Sequence, residues 1–301
     1  MNNKNITYLQ RHSTLIKKYC VENNISYRDR EEFYEALAFN PQEAVLLLKD
    51  FEMSSTEKYN RLLNELFGSE YCVVGIIGSP GSGKTSTALR ILGDYWERSE
   101  KKARIFSFQN VFKPVFFKGV VWDTSQIPNN SIIYIDELAH VFPARAFMTE
   151  NNQKLVSRLI DLRHKNVKIF GSTQRARLVD LVYFDFCNFL FYKYVDLSTM
   201  DQERQFLFPP LIQWLLPREF SQKSKVVVKS PTSVLSFDIS KPEKFSEQDS
   251  KYLGNLKEPD IRSCVYHLIS LDYTAKEIRT FIERNFNRRY SIEQIKQMRA
   301  S

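Results

Sequence analysis

Residues 78–85 read Gly-Ser-Pro-Gly-Ser-Gly-Lys-Thr, and no other stretch constrains the fold of this chain as much. It fits the pattern G-x-x-x-x-G-K-[ST], in which each residue type has a task on a nucleoside triphosphate. Glycines let the backbone turn tightly enough to aim successive N–H groups at phosphate oxygens. Lys84 is expected to reach the β- and γ-phosphates, and the Thr85 hydroxyl to bind Mg²⁺. Three of the nine glycines of the chain, Gly78, Gly81 and Gly83, fall within these eight residues. The flanks agree. Val73-Val74-Gly75-Ile76-Ile77 is a short apolar run of the kind that forms a buried parallel strand. Thr85 to Leu92 takes on helical periodicity and is expected to stop at Gly93. Strand, loop and helix in that order put phosphates at a helix N-terminus, where unpaired N–H groups and the helix dipole favour anions. The nucleotide-binding set read from the sequence is Gly78, Ser79, Pro80, Gly81, Ser82, Gly83, Lys84, Thr85 and Ser86, with ATP as the ligand. A glycine-rich turn of no function would not need these flanks.

An apolar strand ending in two acids supplies the other half of such a site. Ser131-Ile132-Ile133-Tyr134-Ile135 runs into Asp136-Glu137. The C-terminal ends of parallel strands are where α/β sheets bind ligands. Asp136 is expected to hold Mg²⁺ together with Thr85, and Glu137 to polarise the attacking water as general base. A third apolar run, Val167-Lys168-Ile169-Phe170-Gly171-Ser172-Thr173, ends at Gln174. If it lies beside the loop strand, Gln174 emerges near the γ-phosphate, as a sensor or to orient water; otherwise it is a surface residue in a turn. Arginines cluster around this strand at Arg145, Arg158, Arg163, Arg175 and Arg177. Charge building up on a transferring phosphoryl group is commonly met by an arginine, often from a neighbouring subunit. Arg163 is the first candidate and Arg158 the second; each taken singly also suits a solvated helix face.

Candidate strands at 72–77, 104–108, 119–122, 131–136, 167–172 and 187–194 alternate with helical segments. The alternation predicts an α/β fold with a mostly parallel central sheet over residues 71–204. Residues 1–70 read as helices. Asn40-Pro41-Gln42-Glu43 makes one helix start, and Ser55-Thr56-Glu57 opens another that stops at Gly68. This segment is expected to cap the core, or to contact another subunit or an assembly partner. Past residue 205 the texture changes. Lys225–Lys229 and Ser233–Asp238, joined by Ser-Pro-Thr, predict a β-hairpin that extends the sheet edge within a 205–256 segment. Residues 257–301 turn helical again. Thr274-Ala275-Lys276-Glu277 and Ser291-Ile292-Glu293-Gln294 each match a capping box. Three short helices there suggest a helix-turn-helix-like module. Arg279, Arg284, Arg288, Arg289 and Lys296 are its candidate DNA contacts, with Arg299 beside them. Short basic helical tails also serve as protein docking units.

The charge distribution fits that division. The net charge is +8; residues 1–70 carry −2, residues 71–256 +7 and residues 257–301 +3. A basic core and tail suit a polyanionic partner such as double-stranded DNA, although lysine-rich surfaces also serve solubility. The four cysteines are far apart and form no C-x-x-C, so neither a zinc site nor a disulfide framework is suggested. With no signal peptide and no apolar run long enough to span a bilayer, a reducing, cytoplasmic location is expected.

Gly78–Thr85, Asp136-Glu137 and Thr173-Gln174 together resemble the HerA/FtsK superfamily of DNA-pumping P-loop ATPases. That group includes genome-packaging ATPases of viruses and zonular-occludens-toxin-like assembly ATPases. The resemblance covers roughly residues 71–195. It implies a glutamine strand between the loop strand and the acidic strand, a catalytic glutamate at Glu137, and a homo-oligomeric ring with an arginine given in trans. Leu162-Arg163-His164-Lys165 resembles the arginine-bearing helix of the family. An Mg·ATP-hydrolysing motor that packages or transfers DNA is the expectation. A Zot-like assembly or secretion ATPase and an ATP-regulated DNA-binding switch are the alternatives. No Asn-Lys-x-Asp follows the loop, which argues against a GTPase, and no Leu-Ser-Gly-Gly-Gln appears, which argues against a transporter ATPase.

Overall fold

The computed structural model describes residues 13–22, 25–108, 116–121, 124–144, 157, 159–196, 200, 202–219, 224–239, 265–266, 269, 274–286 and 290–300. These form two compact units. The larger is built on an eight-stranded sheet. Its strands are β1 (Val73–Ile77), β2 (Ile105–Phe108), β3 (Phe117–Val121), β4 (Ile132–Ile135), β5 (Lys168–Thr173), β6 (Phe189–Tyr192), β7 (Lys225–Lys229) and β8 (Val234–Asp238), in the spatial order β3-β2-β4-β5-β1-β6-β7-β8. The first six are mutually parallel, and the β7–β8 hairpin is added antiparallel to β6. All residues of β1, β4 and β5 are buried, as near-continuous apolar runs require of strands covered on both faces. The glutamine strand, β5, lies between the loop strand β1 and the acidic strand β4, the order implied by the resemblance.

Among the described residues four helices precede the sheet: α1 (Ser13–Glu22), α2 (Tyr27–Phe39), α3 (Pro41–Asp50) and α4 (Ser55–Gly68). The Asn40 cap is the one read from the sequence; on α4 the cap is Ser54, one residue ahead of the start read there. Asn40 accepts from the Glu43 N–H ahead of Pro41, and Ser54 and Glu57 form a reciprocal capping box on α4. Ile16, Phe33, Leu37 and Leu47 join the same hydrophobic cluster as Val73, Ile77 and Ile169. The helices cover the hairpin end of the sheet. Phe33 stacks on Trp214 of α8 (Pro210–Glu219), with ring centroids 4.2 Å apart. Lys229 on β7 pairs with Glu43, and Ser230 in the hairpin turn donates to Glu65 at 2.9 Å. Arg61 on α4 pairs with Asp50 at the end of α3, a carboxylate that is almost fully buried.

Helix α5 (Lys84–Arg98) starts at the phosphate loop and runs past Gly93, where the sequence suggested a stop. The glycine serves packing instead. A Cβ there would lie 3.3 Å from the Phe116 ring. Helices α6 (Leu138–Val141) and α7 (Leu181–Asp185) follow β4 and β5. The smaller unit contains α9 (Ala275–Phe286) and α10 (Ile292–Ala300), which bury Ile278, Ile282, Tyr290 and Ile295. Gln294 N–H donates to Ser291 Oγ at 3.1 Å and the Gln294 side chain accepts from Ser291 N–H at 2.8 Å, so the predicted second capping box is present. Among the described residues no helix is long and apolar enough to cross a membrane.

Candidate functional site

The loop between β1 and α5 turns on two glycines in left-handed conformations, Gly81 at φ +71° and Gly83 at φ +88°. Only glycine takes these without strain, and the turn delivers the chain to the first residue of α5 with its N–H groups unpaired. Neighbouring strands hold the entry to the loop. Gly78 N–H donates to Thr173 O at 3.3 Å, and Ser79 N–H to Tyr194 O at 2.7 Å. The Ser79 hydroxyl donates to Asp196 Oδ2 at 3.0 Å and accepts from Asp196 N–H at 3.3 Å. Lys84 is buried, and its ammonium donates to the carbonyls of Gly78 and Ser79 at 2.8 and 3.0 Å. Burial pushes its pKa below the ordinary lysine value, while the carboxylates of Glu137 and Asp136 pull it back up. A cation folded onto loop carbonyls can exchange them for phosphate oxygens at little cost.

The acids come in from β4. Tyr134 pairs with Phe170 and Ile135 with Gly171 in the parallel register. Two more steps of that register bring Asp136 beside Ser172 and Glu137 beside Thr173. Ser172 Oγ donates to Asp136 Oδ1 at 2.8 Å, and Thr173 Oγ1 donates to Glu137 Oε1 at 2.8 Å. Gln174 N–H donates to Glu137 Oε2 at 3.3 Å. Thr85 Oγ1 reaches Asp136 Oδ1 at 3.2 Å, which joins the two halves of the site. Glu137 itself is left-handed, at φ +65°. Such a conformation is strained for a residue with a Cβ, and strain of this kind collects at functional sites. It turns the chain sharply from β4 into α6. Leu138 then packs so closely over β5 that a Cβ at Gly171 would sit 2.3 Å from its Cδ2 and 2.5 Å from the Tyr183 hydroxyl.

Lys84, Thr85, Asp136, Glu137 and Gln174 thus lie together at the C-terminal edge of the sheet, and Gln174 is exposed there. Thr85 and Asp136 offer hard oxygen atoms side by side at the foot of the loop, the donor type Mg²⁺ takes, so the residues fit that ion. Arg163 is not brought to this group. It is exposed at the end of the helical stretch 159–164, in a pocket with Glu70, Tyr71, Asp185 and Asn188. Those residues flank the N-terminal ends of β1 and β6, so Arg163 lies a strand length, roughly 15 Å, from the loop of its own chain. Arg145 and Arg158 lie outside the described residues, while Arg175 is exposed directly after Gln174. In the smaller unit Arg279 and Lys296 are exposed; the side chain of Arg284, and Arg288 and Arg289 entirely, lie outside the described residues.

Sequence reasoning missed Tyr134, Ser172 and Asp196 as members of the site. Strand alternation carried a signal for the first, since Tyr134 and Asp136 are two apart and share a face. Asp196 lies 117 residues from Ser79 in sequence, and only the placement of β6 beside β1 brings them together.

The sequence model of the AAA family, the ATPase family associated with various cellular activities, matches residues 74–187. No curated protein is significantly similar to the chain. Similar solved structures include the genome-packaging NTPase B204 of Sulfolobus turreted icosahedral virus 2 in complex with sulfate. It is 10% identical with a TM-score of 0.44, and the match covers 57% of this chain and 98% of that one. The DNA-packaging ATPase B204 of Sulfolobus turreted icosahedral virus is 13% identical with a TM-score of 0.44, covering 56% and 98%. The N-terminal domain of zonular occludens toxin from Neisseria meningitidis is 15% identical with a TM-score of 0.39, covering 58% and 97%. The phosphate loop on a mostly parallel sheet, its paired acids and the match over residues 74–187 agree on one conclusion: the chain is a P-loop ATPase.

Proposed function

We propose that this ATPase is a motor that moves double-stranded DNA, packaging or transferring a viral or plasmid genome in the cytoplasm as a homo-oligomeric ring. One observation carries the reading: Glu137 is held by Thr173 and Gln174 on a strand inserted between the loop strand and the acidic strand. That insertion ties the candidate base to the residue that would sense the γ-phosphate. A site so wired suits an enzyme that converts the state of its nucleotide into movement.

Each candidate residue has a role in this reading. The loop N–H groups and Ser86 cradle the phosphates, and Lys84 leaves the Gly78 and Ser79 carbonyls for the β- and γ-phosphates. Thr85 and Asp136 would hold Mg²⁺, which would supply positive charge against the phosphates. Glu137 takes a proton from the attacking water once it leaves Thr173, and Gln174 reads the γ-phosphate. Arg163, at the far edge of the sheet from its own loop, serves the site of a neighbouring subunit, which a ring provides. Arg279, Arg284, Arg288, Arg289 and Lys296 of the helix-turn-helix-like tail contact phosphates of the DNA. Residues 1–70 are the proposed contact for a capsid or portal partner.

ATP turnover measured with and without double-stranded DNA, on an assembly of known mass, tests the proposal. Turnover by an oligomer should rise with DNA of any sequence, and the stimulation should fall steeply with salt. Slow, unstimulated hydrolysis with tight binding to one DNA sequence would make it a switch instead. Hydrolysis indifferent to DNA would favour an assembly ATPase that moves protein.

A further inference from the structure

The geometry points to Tyr134 and Ser172 as positioning residues that lock Asp136 with a single carboxylate oxygen turned toward the metal position. The inference rests on the reading of Asp136 as the magnesium-holding acid. Three hydroxyls meet on Asp136 Oδ1: Tyr134 at 2.8 Å, Ser172 at 2.8 Å and Thr85 at 3.2 Å. A carboxylate oxygen offers about two lone pairs, so Oδ1 is saturated. None of these bonds uses Oδ2, which is left for the hydration shell of the cation.

The placement follows from the strands. Tyr134 precedes Asp136 by two residues on β4, so both side chains leave the same face. Ser172 lies across from Asp136 in the β4–β5 register. The Tyr134 side chain is fully buried, where a hydroxyl without a partner costs roughly 1–3 kcal/mol. Tyr134 and Ser172 are also within hydrogen-bond reach of each other at 3.3 Å, and both donate at shorter range to the acid. A phenylalanine would fill the same space, so the phenol oxygen has a use beyond packing. Hydrogen bonds of this kind fix the rotamer of a metal-holding group and set its affinity. The core strand β4 thereby determines how tightly the site binds its cation, through a residue that never touches it.

Binding of a fluorescent, non-hydrolysable ATP analogue to the full chain, titrated with Mg²⁺, tests the assignment. In the wild type Mg²⁺ should tighten binding. In Tyr134→Phe the Mg²⁺ concentration for half of that effect should rise about tenfold. Affinity without Mg²⁺ should stay within about twofold of wild type. Ser172→Ala should move the Mg²⁺ response in the same direction. A Tyr134→Phe protein that titrates like the wild type would overturn the inference, as would equal losses with and without Mg²⁺. Should Tyr134→Phe fail to fold, Ser172→Ala decides alone, and an unaltered Mg²⁺ response there overturns it. A wild type indifferent to Mg²⁺ would remove the role of Asp136 and this inference with it. The expected shifts uphold it whether or not DNA stimulates turnover, so its failure and that of the motor are told apart.

Discussion

Glu137 is the proposed base of hydrolysis, and its surroundings show how the carboxylate is held. Both carboxylate oxygens are engaged, one by the Thr173 hydroxyl and one by the Gln174 N–H. Replacing the acid by an amide removes the base while leaving the loop intact. Glu137→Gln should bind ATP with near wild-type affinity and lose turnover by about 100-fold or more, read by equilibrium binding and phosphate release. Full activity would mean that another group takes the proton. Lys84→Ala should lose nucleotide affinity by about tenfold or more, because an ammonium already in the loop no longer meets the phosphates. Gly171→Ala is a different test. Its methyl would enter space held by Leu138 and the Tyr183 hydroxyl, and stability in urea should fall by about 2 kcal/mol or more. The acids and the lysine were legible in the sequence because their chemistry is local. The bonds that hold Glu137 were not, because they depend on the register of two strands that start about 36 residues apart.

The elements show the same division. The apolar runs at 73–77, 132–135 and 168–173 could be read as buried strands directly, and the hairpin from its two alternating runs. Gly93 signals a stop in sequence, yet the helix from Lys84 runs on to Arg98, because the glycine serves a close contact with Phe116 in space. Residues 1–70 were legible as helices by their caps, yet nothing local shows what they cover. Phe33 on Trp214, Glu43 with Lys229 and Glu65 with Ser230 tie them to the hairpin end of the sheet. A chain lacking residues 1–70 would expose the apolar side of β7 and β8, and unpartnered apolar strands at a sheet edge aggregate. That truncation should be insoluble or melt without cooperativity; a soluble protein with a sharp thermal transition would show the helices to be an appendage.

At the scale of the whole molecule, the position of Arg163 matters most. It lies at the opposite edge of the sheet from the loop of its own chain. The resemblance implies an arginine given in trans, and a place ahead of β5, a strand length from the loop, is compatible with that expectation. A role in hydrolysis therefore needs a second subunit. Mixing Arg163→Ala subunits with Lys84→Ala subunits, each inactive alone, should restore part of the ATPase rate through mixed interfaces. No recovery would argue against a shared site. ATP-dependent displacement of a third strand from a DNA triplex, by an assembly of measured mass, tests the proposed motor. The wild type should displace the strand, and Glu137→Gln should not. A wild type that hydrolyses ATP at one rate with or without DNA and leaves the triplex intact would contradict it.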